Sequence, residues 1–345
     1  MAIRIFALCR TYYHIVQTLA LCQMFQEQGA DPDLTIFRGE SILNDFPIKE
    51  KALDFSSLAF PCRIVAMPPY SIWALPLAVV RLVICSWRKR SLSRVLVSPN
   101  GPHLGLLSAL AKLDEQPEAF YSIEEGLGSH GSMLHRSRVR ANHSGHPKRL
   151  PVYLLGEVLK RVLLNITTVR SGGIAETIAA RKGSSGRIRI ALGPYVKEIL
   201  ASGIFRRPDE PFRKGTVLFL SQPYTEVGVI DGESYLAVLE CVRKHFIRLG
   251  MNLVVKPHPA EQLEKFHSFR ICHFEGPVEA LFEQCQENQV AVVGINSTAL
   301  VLAKNVFALQ AYRIEHTLLS AVHIDNLDKA FARLLAQSTE LLSLG

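Results

Sequence analysis

The chain has 345 residues, 48% of them hydrophobic and 20% charged, with a formal charge of +8 and a pI near 9.2. That length favours two cores of ordinary size over one, and a composition without low-complexity tracts excludes extensive disorder. Seven cysteines, at 9, 22, 62, 85, 241, 272 and 285, lack the close pairing of a zinc site, and their odd number argues against a complete disulfide framework, so a reducing cytoplasm is expected.

Met1 to Leu8 alternates into a strand at once, without the basic region, long apolar core and small-residue cleavage site of a signal peptide. Hydrophobic periodicity predicts a strand over Ile3 to Cys9 and a helix over Tyr13 to Gln28, with Ile15, Leu19, Met24 and Phe25 on its apolar positions. Further strands are expected at Leu34 to Phe37, Arg63 to Ala66, Arg94 to Ser98 and Ala119 to Ile123, with a helix over Gly105 to Leu113 before the last. The apolar stretch Ile72 to Trp87 is interrupted by Pro76 and Arg81 and is shorter than the ~20 residues a spanning helix needs. It reads as a buried core helix with a basic end, Arg88-Lys89-Arg90; the alternative is a segment lying on a membrane surface.

Tyr153 to Leu164 and Val196 to Gly203 read as helices, and the aperiodic, Arg- and Pro-rich stretch Phe205 to Gly215 as a linker. The second half repeats the alternation. Strands are expected at Thr216 to Leu220, Asn252 to Lys256 and Val290 to Val293, and helices at Ser234 to Leu249, Val278 to Gln286 and Ala299 to Lys304. A terminal helix is expected over Asp325 to Leu342. Short apolar runs alternating with helical stretches predict an α/β protein of parallel sheets. The expected domains are 1–204, a linker 205–215, 216–324 and a terminal helix within 325–345 that could pack back on the first half across a deep cleft.

The positive charge concentrates in Arg88-Lys89-Arg90 with Arg94, and in the segment from His135 to Arg149. Such clusters suit a phosphate-bearing polymer, an anionic inner-membrane face or plain solvation. Nucleic acid is not the expected partner, because no zinc finger, RNA-recognition aromatic signature or aromatic interleaving accompanies them. A dehydrogenase is not expected, because Cys9-Arg10-Thr11, not a glycine-rich turn, follows the first strand.

Two motifs carry chemistry. Lys256-Pro257-His258-Pro259 closes the apolar run Met251 to Val255, and Glu124-Glu125-Gly126 follows the strand ending at Ile123. Both lie where strands give way to loops, the edge at which open α/β sheets meet ligands. A histidine that can give a proton and a carboxylate that can take one point to an enzyme. The alternatives are a histidine capping a strand end and, for the chain as a whole, a binder of anionic glycans.

Together with Cys9-Arg10-Thr11-Tyr12-Tyr13-His14-Ile15-Val16-Gln17 and the pair Ser297-Thr298, these motifs resemble those of the bacterial sialyltransferases. The nearest resemblance is to the lipooligosaccharide sialyltransferases of glycosyltransferase family 52, and polysialyltransferases are more distant. The resemblance implies a GT-B fold of two Rossmann-like domains and a metal-independent, inverting, cytoplasmic enzyme with no cofactor. It implies a CMP-sialic acid donor and a bacterial surface-glycan acceptor of lipooligosaccharide or capsule type. A donor carrying Kdo, another nonulosonate or glycerophosphate is the alternative.

On this resemblance Glu125 is the base that takes the acceptor hydroxyl's proton, with Glu124 beside it and Gly126 allowing a tight turn. His258 meets the charge that develops on the departing phosphate, as general acid or as a charged donor, helped by Lys256 and held by Pro257 and Pro259. Asn296, Ser297 and Thr298 at a helix start are assigned to the CMP phosphate, and Glu279 to the ribose hydroxyls. Ser221 and Gln222 are expected near the donor, as are Arg10 and Thr11, where this chain has Thr-Tyr-Tyr instead of the family's commoner Thr-Pro-Phe. Asn100 and His130 are placed on the acceptor side.

Overall fold

Every ladder among the described residues is parallel, so each neighbouring strand is reached through a crossover and the helices cover the sheet faces. The computed structural model describes residues 1–38, 53–67, 73, 75–87, 93–99, 103–113, 115, 117–123, 134, 137, 147–166, 169–173, 188–205, 212–226, 228–323 and 329–344. The chain divides into two units, Met1–Ile204 and Phe205–Gly345.

The described residues of the first unit hold seven strands: β1 Ala2–Cys9, β2 Asp31–Arg38, β3 Cys62–Ala66, β4 Arg94–Pro99, β5 Ala119–Ile123, β6 Val169–Gly173 and β7 Ile188–Ala191. Their order across the sheet is β3-β2-β1-β4-β5-β6-β7. Its helices are α1 Tyr12–Glu27, α2 Leu75–Trp87, α3 Leu104–Lys112, α4 Leu150–Ile166 and α5 Gly193–Ala201. Thr11 starts α1, its extended backbone leaving Oγ1 to accept from the His14 N–H at 3.3 Å. α1 packs against α5, where Tyr195 donates to Glu27 Oε2 at 2.9 Å. Phe6, Leu8, Leu96, Leu106, Leu110 and Phe120 form the core on the side of α2 and α3.

The sequence expectation of a buried core helix at Ile72 to Trp87 is corrected by α2. Ala78 is buried, but Leu77, Val80 and Ile84 are exposed, so α2 is a surface helix whose outer side is apolar.

In the second unit the strands are β8 Thr216–Leu220, β9 Asn252–Lys256, β10 Arg270–Ile271, β11 Ala291–Gly294, β12 Ala311–Glu315 and β13 Glu340–Ser343, ordered β10-β9-β8-β11-β12-β13. The helices are α6 Gly232–Arg248, α7 Phe282–Glu287, α8 Thr298–Asn305 and α9 Lys329–Ser338. All five residues of β8 are buried, which explains its unbroken apolar run: a central parallel strand is covered on both faces. Val217, Phe219 and Val255 are fully inaccessible and pack with Tyr235, Val238 and Val242 of α6. Each such side chain contributes on the order of 1.5–3 kcal/mol of burial.

The expected terminal helix over Asp325 to Leu342 is also corrected. α9 ends at Ser338, Thr339 Oγ1 donates back to the Leu335 carbonyl at 2.6 Å, and Leu341 and Leu342 pair with β12 as strand β13. α9 packs on α8, with Asn305 Nδ2 donating to Ser338 Oγ at 3.1 Å. The described contacts of this segment complete its own unit's sheet and helix layer. Two leucines that read as a helix's apolar stripe serve a ladder instead.

Candidate functional site

The order of the second sheet reverses at β8, whose neighbours are β9 on one side and β11 on the other. At such a switch point the flanking loops part and leave a crevice outside the carboxyl ends of the strands. Leu220, the last residue of β8, is paired with Lys256 of β9 and with Gly294 of β11. Three loops therefore start side by side, within the ~10 Å that separates alternate strands. They carry Ser221 and Gln222, then Pro257 to Glu261, then Ile295 to Thr298. Gly294 packs closely here: a Cβ would lie 3.4 Å from both the Leu220 carbonyl oxygen and Leu300 Cδ1, at the near limit of ordinary contact.

The His258 loop is held by one carboxylate. Glu261, 7% exposed, accepts from the His258 N–H through Oε2 and from Ser221 Oγ through Oε1, both at 2.6 Å. Lys265 Nζ stands 2.7 Å from the same Oε1 and 3.0 Å from Glu226 Oε1. Tyr235 OH lies 2.6 Å from Ser221 Oγ and accepts from the Gln222 N–H at 3.3 Å. Burial raises the Glu261 carboxyl above its ordinary range, opposed by Lys265, Ser221 and the His258 amide.

His258 Nδ1 accepts from the Ala260 N–H at 3.3 Å, which fixes the tautomer of the neutral ring with its proton on Nε2. Burial, then Lys256, lowers its pKa to about 4. The expected choice between acid and charged donor is thus narrowed: without ligand at neutral pH the ring is an uncharged Nε2–H donor. Lys256 is buried and donates to the Pro257 carbonyl at 3.2 Å, and burial lowers its pKa against the pull of Cys272, Glu279 and Glu261. Glu279, on the one-turn helix Val278–Leu281, is raised by burial and faces the field of Lys256. Pro259 is exposed at the tip of the loop.

Ser297 caps α8, its Oγ accepting from the Ala299 N–H at 3.3 Å, and Thr298 opens the helix. The side chain of Asn296 is held by Tyr224, whose hydroxyl donates to Oδ1. Asn296 also lines a small cavity together with Arg313, Glu315 and His323, with Arg313 paired to Glu315.

In the first unit, Arg10 and Thr11 follow β1. The Arg10 N–H donates to His14 Nδ1 at 3.2 Å, and burial with the Arg10 charge drives the His14 pKa down to about 3. Glu124, Glu125, Gly126, Asn100 and His130 lie outside the described residues. Their anchor points are described: Pro99 and Ile123, which precede Asn100 and Glu124, are a pair in the β4–β5 ladder.

Residues 195–313 match the family model described as alpha-2,8-polysialyltransferase (POLYST). That span runs from α5 to β12 and includes the Lys256 to Pro259 motif, Glu261, Glu279 and Asn296 to Thr298. The matched family is the one the motifs placed as more distant. No curated protein matches the sequence.

Among solved structures, a UDP-GlcNAc 2-epimerase from Methanocaldococcus jannaschii is similar over 99% of this chain and 89% of its own, with a TM-score of 0.52 and 11% identity. S. aureus MnaA, solved with UDP, is similar over 97% and 91%, with a TM-score of 0.50 and 11% identity. The glycosyltransferase SnogD from Streptomyces nogalater covers 99% and 87%, with a TM-score of 0.47 and 12% identity. The first two structures show the fold, which is of the GT-B type: two parallel-sheet α/β units. The family match supports a glycosyltransferase of the sialyltransferase type.

Glu261, Lys265 and Tyr235 were not singled out by sequence reasoning. Glu261 follows His258 at the i+3 spacing by which a side chain returns to a loop amide, and Lys265 follows Glu261 at i+4. Those spacings were the available signal.

Proposed function

We propose that the protein is an inverting sialyltransferase that moves sialic acid from CMP-sialic acid to a hydroxyl of a bacterial surface glycan without a metal ion. The observation that carries this reading is the convergence of three loops at the β8 switch point, with a neutral His258 imidazole, Lys256 and the capped start of α8. A nucleoside monophosphate leaving group needs these parts: donors for its phosphate oxygens and a proton or hydrogen bond at the oxygen released.

In the reaction, the acceptor oxygen forms a bond to the anomeric carbon of the sialic acid while the bond from that carbon to the phosphate oxygen breaks. The electron pair of the broken bond stays on CMP. His258 Nε2–H hydrogen-bonds the oxygen that gains charge, and Ser297, Thr298 and the first amides of α8 hold the other phosphate oxygens. Glu279 accepts from the ribose hydroxyls. Glu125 of the first unit takes the proton of the attacking hydroxyl; the alternative base is Glu124. Asn100 and His130 serve the acceptor, while Arg10 and Thr11 serve the donor's carboxylate.

The test is CMP release from CMP-Neu5Ac, CMP-Kdo and CDP-glycerol with mixed glycan acceptors and EDTA present. Turnover of CMP-Neu5Ac that collapses in folded Glu125→Gln and His258→Ala variants supports the reading. Turnover of another donor alone keeps the site and replaces the substrate, whereas silence across the panel leaves an anionic-glycan binder as the better account.

A further inference from the structure

Two helices of the first unit expose apolar rows that no described element covers. The right-handed crossover rule applied to this strand order assigns α2, α3 and α4 to one face of the sheet and α1 to the other, and α2 packs against α3. On α4, Val152, Leu155, Leu159 and Val162 are all exposed, Val152 at 66% and Leu155 at 68%. At ~100° per residue these positions fall in a stripe about 80° wide along the helix. The outward row of α2, Leu77, Val80 and Ile84, repeats the i, i+3, i+7 pattern, and Trp73 just ahead of it is 89% exposed. A soluble surface helix ordinarily turns its apolar stripe inward. These two turn theirs outward.

The described exposed charge on these helices and the turn before α4 has one sign. α2 contains no acidic residue, and the single acidic residue of α4, Glu157, is buried. Lys148 and Arg149 are exposed on the turn that leads into α4.

We propose that this face seats the protein on an anionic lipid bilayer, with α2 and α4 lying in the headgroup plane and Trp73 at the interface. Thirteen and seventeen residues reach only about 20 and 26 Å, short of the ~30 Å of hydrocarbon, and no described helix is long and apolar enough to cross a membrane. They lie on the surface, apolar side down, as interfacial helices do. A second copy of the chain fits less well, because a two-fold contact through this face would bring its own Lys148 and Arg149 towards like charges. Phosphate headgroups supply the complementary sign. The site is independent of the donor chemistry proposed above.

The test is sedimentation of the full-length protein with vesicles of phosphatidylcholine alone or mixed with phosphatidylglycerol. Binding is expected to the mixed vesicles, weakly to the neutral ones, and to fall as salt is raised. Leu155→Glu combined with Leu159→Glu should weaken binding at least about tenfold. Thermal unfolding should stay unchanged, since both side chains are exposed. Lys148→Glu with Arg149→Glu should abolish the preference for the anionic vesicles. Equal sedimentation of wild type and both variants, or no binding to either vesicle, overturns the proposal. So does a vesicle-free dimer that Leu155→Glu dissolves, which would assign the face to a second copy.

Discussion

Glu261 grips His258 through the backbone on both sides of its Cα: Oε2 accepts from the His258 N–H at 2.6 Å, and the Glu261 N–H donates to the His258 carbonyl at 2.9 Å. The imidazole is thereby aimed by a loop whose shape depends on one buried carboxylate. Glu261→Ala strands the His258 amide and takes one partner each from Ser221, which keeps Tyr235, and Lys265, which keeps Glu226; it should cost about 1–3 kcal/mol of stability. CMP release should fall about 10- to 100-fold, mainly in kcat, with Glu261→Gln recovering part of it. Wild-type kcat in a folded Glu261→Ala protein would remove Glu261 from the positioning of His258.

The charge state of His258 is open to a pH profile. Its pKa is lowered to about 4 by burial and Lys256, so the unliganded ring stays neutral from neutral pH down to that value. kcat/KM, which reports the free enzyme, should therefore show no step from this residue near the ordinary 6.5, and its acid limb should lie near 4. An acid limb near 6.5 that disappears in His258→Asn would contradict the neutral-donor assignment.

His14 makes the fold acid-sensitive. Its folded pKa of about 3 lies below the ordinary 6.5, so the unfolded chain binds the proton first as pH falls. Stability is complete above 6.5 and is lost progressively as pH drops towards 3. At ~1.4 kcal/mol per unit the loss is on the order of several kcal/mol. Denaturant midpoints measured across that range should fall less steeply for His14→Gln than for wild type.

Gly276 lies against the ring of Phe274: a Cβ there would sit 2.4 Å from Cζ. Gly276→Ala must displace the ring, which is buried beside the turn leading to Glu279, at about 1–3 kcal/mol of strain. KM for the CMP-linked donor should rise while kcat changes less. Unchanged donor KM and melting temperature would show that the ring moves aside freely.

Ser297 separates capping from ligand binding. Ser297→Gly keeps a good helix start at a cost of a few tenths of a kcal/mol, but it removes the hydroxyl assigned to the phosphate. CMP affinity by calorimetry should fall about tenfold, the value of one hydrogen bond to a charged group. Unchanged affinity would leave Ser297 as a cap alone.

The second unit was largely legible in the sequence because its central strands are apolar runs that stop where polar loops begin. Leu220, Lys256 and Gly294 all lie within one residue of the strand ends read from pattern. β12 was missed because Arg313 and Glu315 interrupt its apolar pattern, and β6 because Gly172 and Gly173 weaken the strand signal. α2 was misread for a different reason: a helix apolar on every side does not reveal whether its outer side is covered. Glu261 carried no motif, since its importance lies in what it accepts from, which only the folded loop defines.

The all-parallel sheets have a kinetic consequence. With no hairpin among the described strands, no ladder can form from adjacent chain, and the pairings that create the switch points join Arg4 to Arg94 and Val217 to Ala291. Those are the most expensive loops to close in each sheet, and contacts of such sequence separation fold slowly. The crevice at β8 therefore depends on one of the least local pairings of its sheet, so the apolar β8 and β11 edges stay open to aggregation until late in folding.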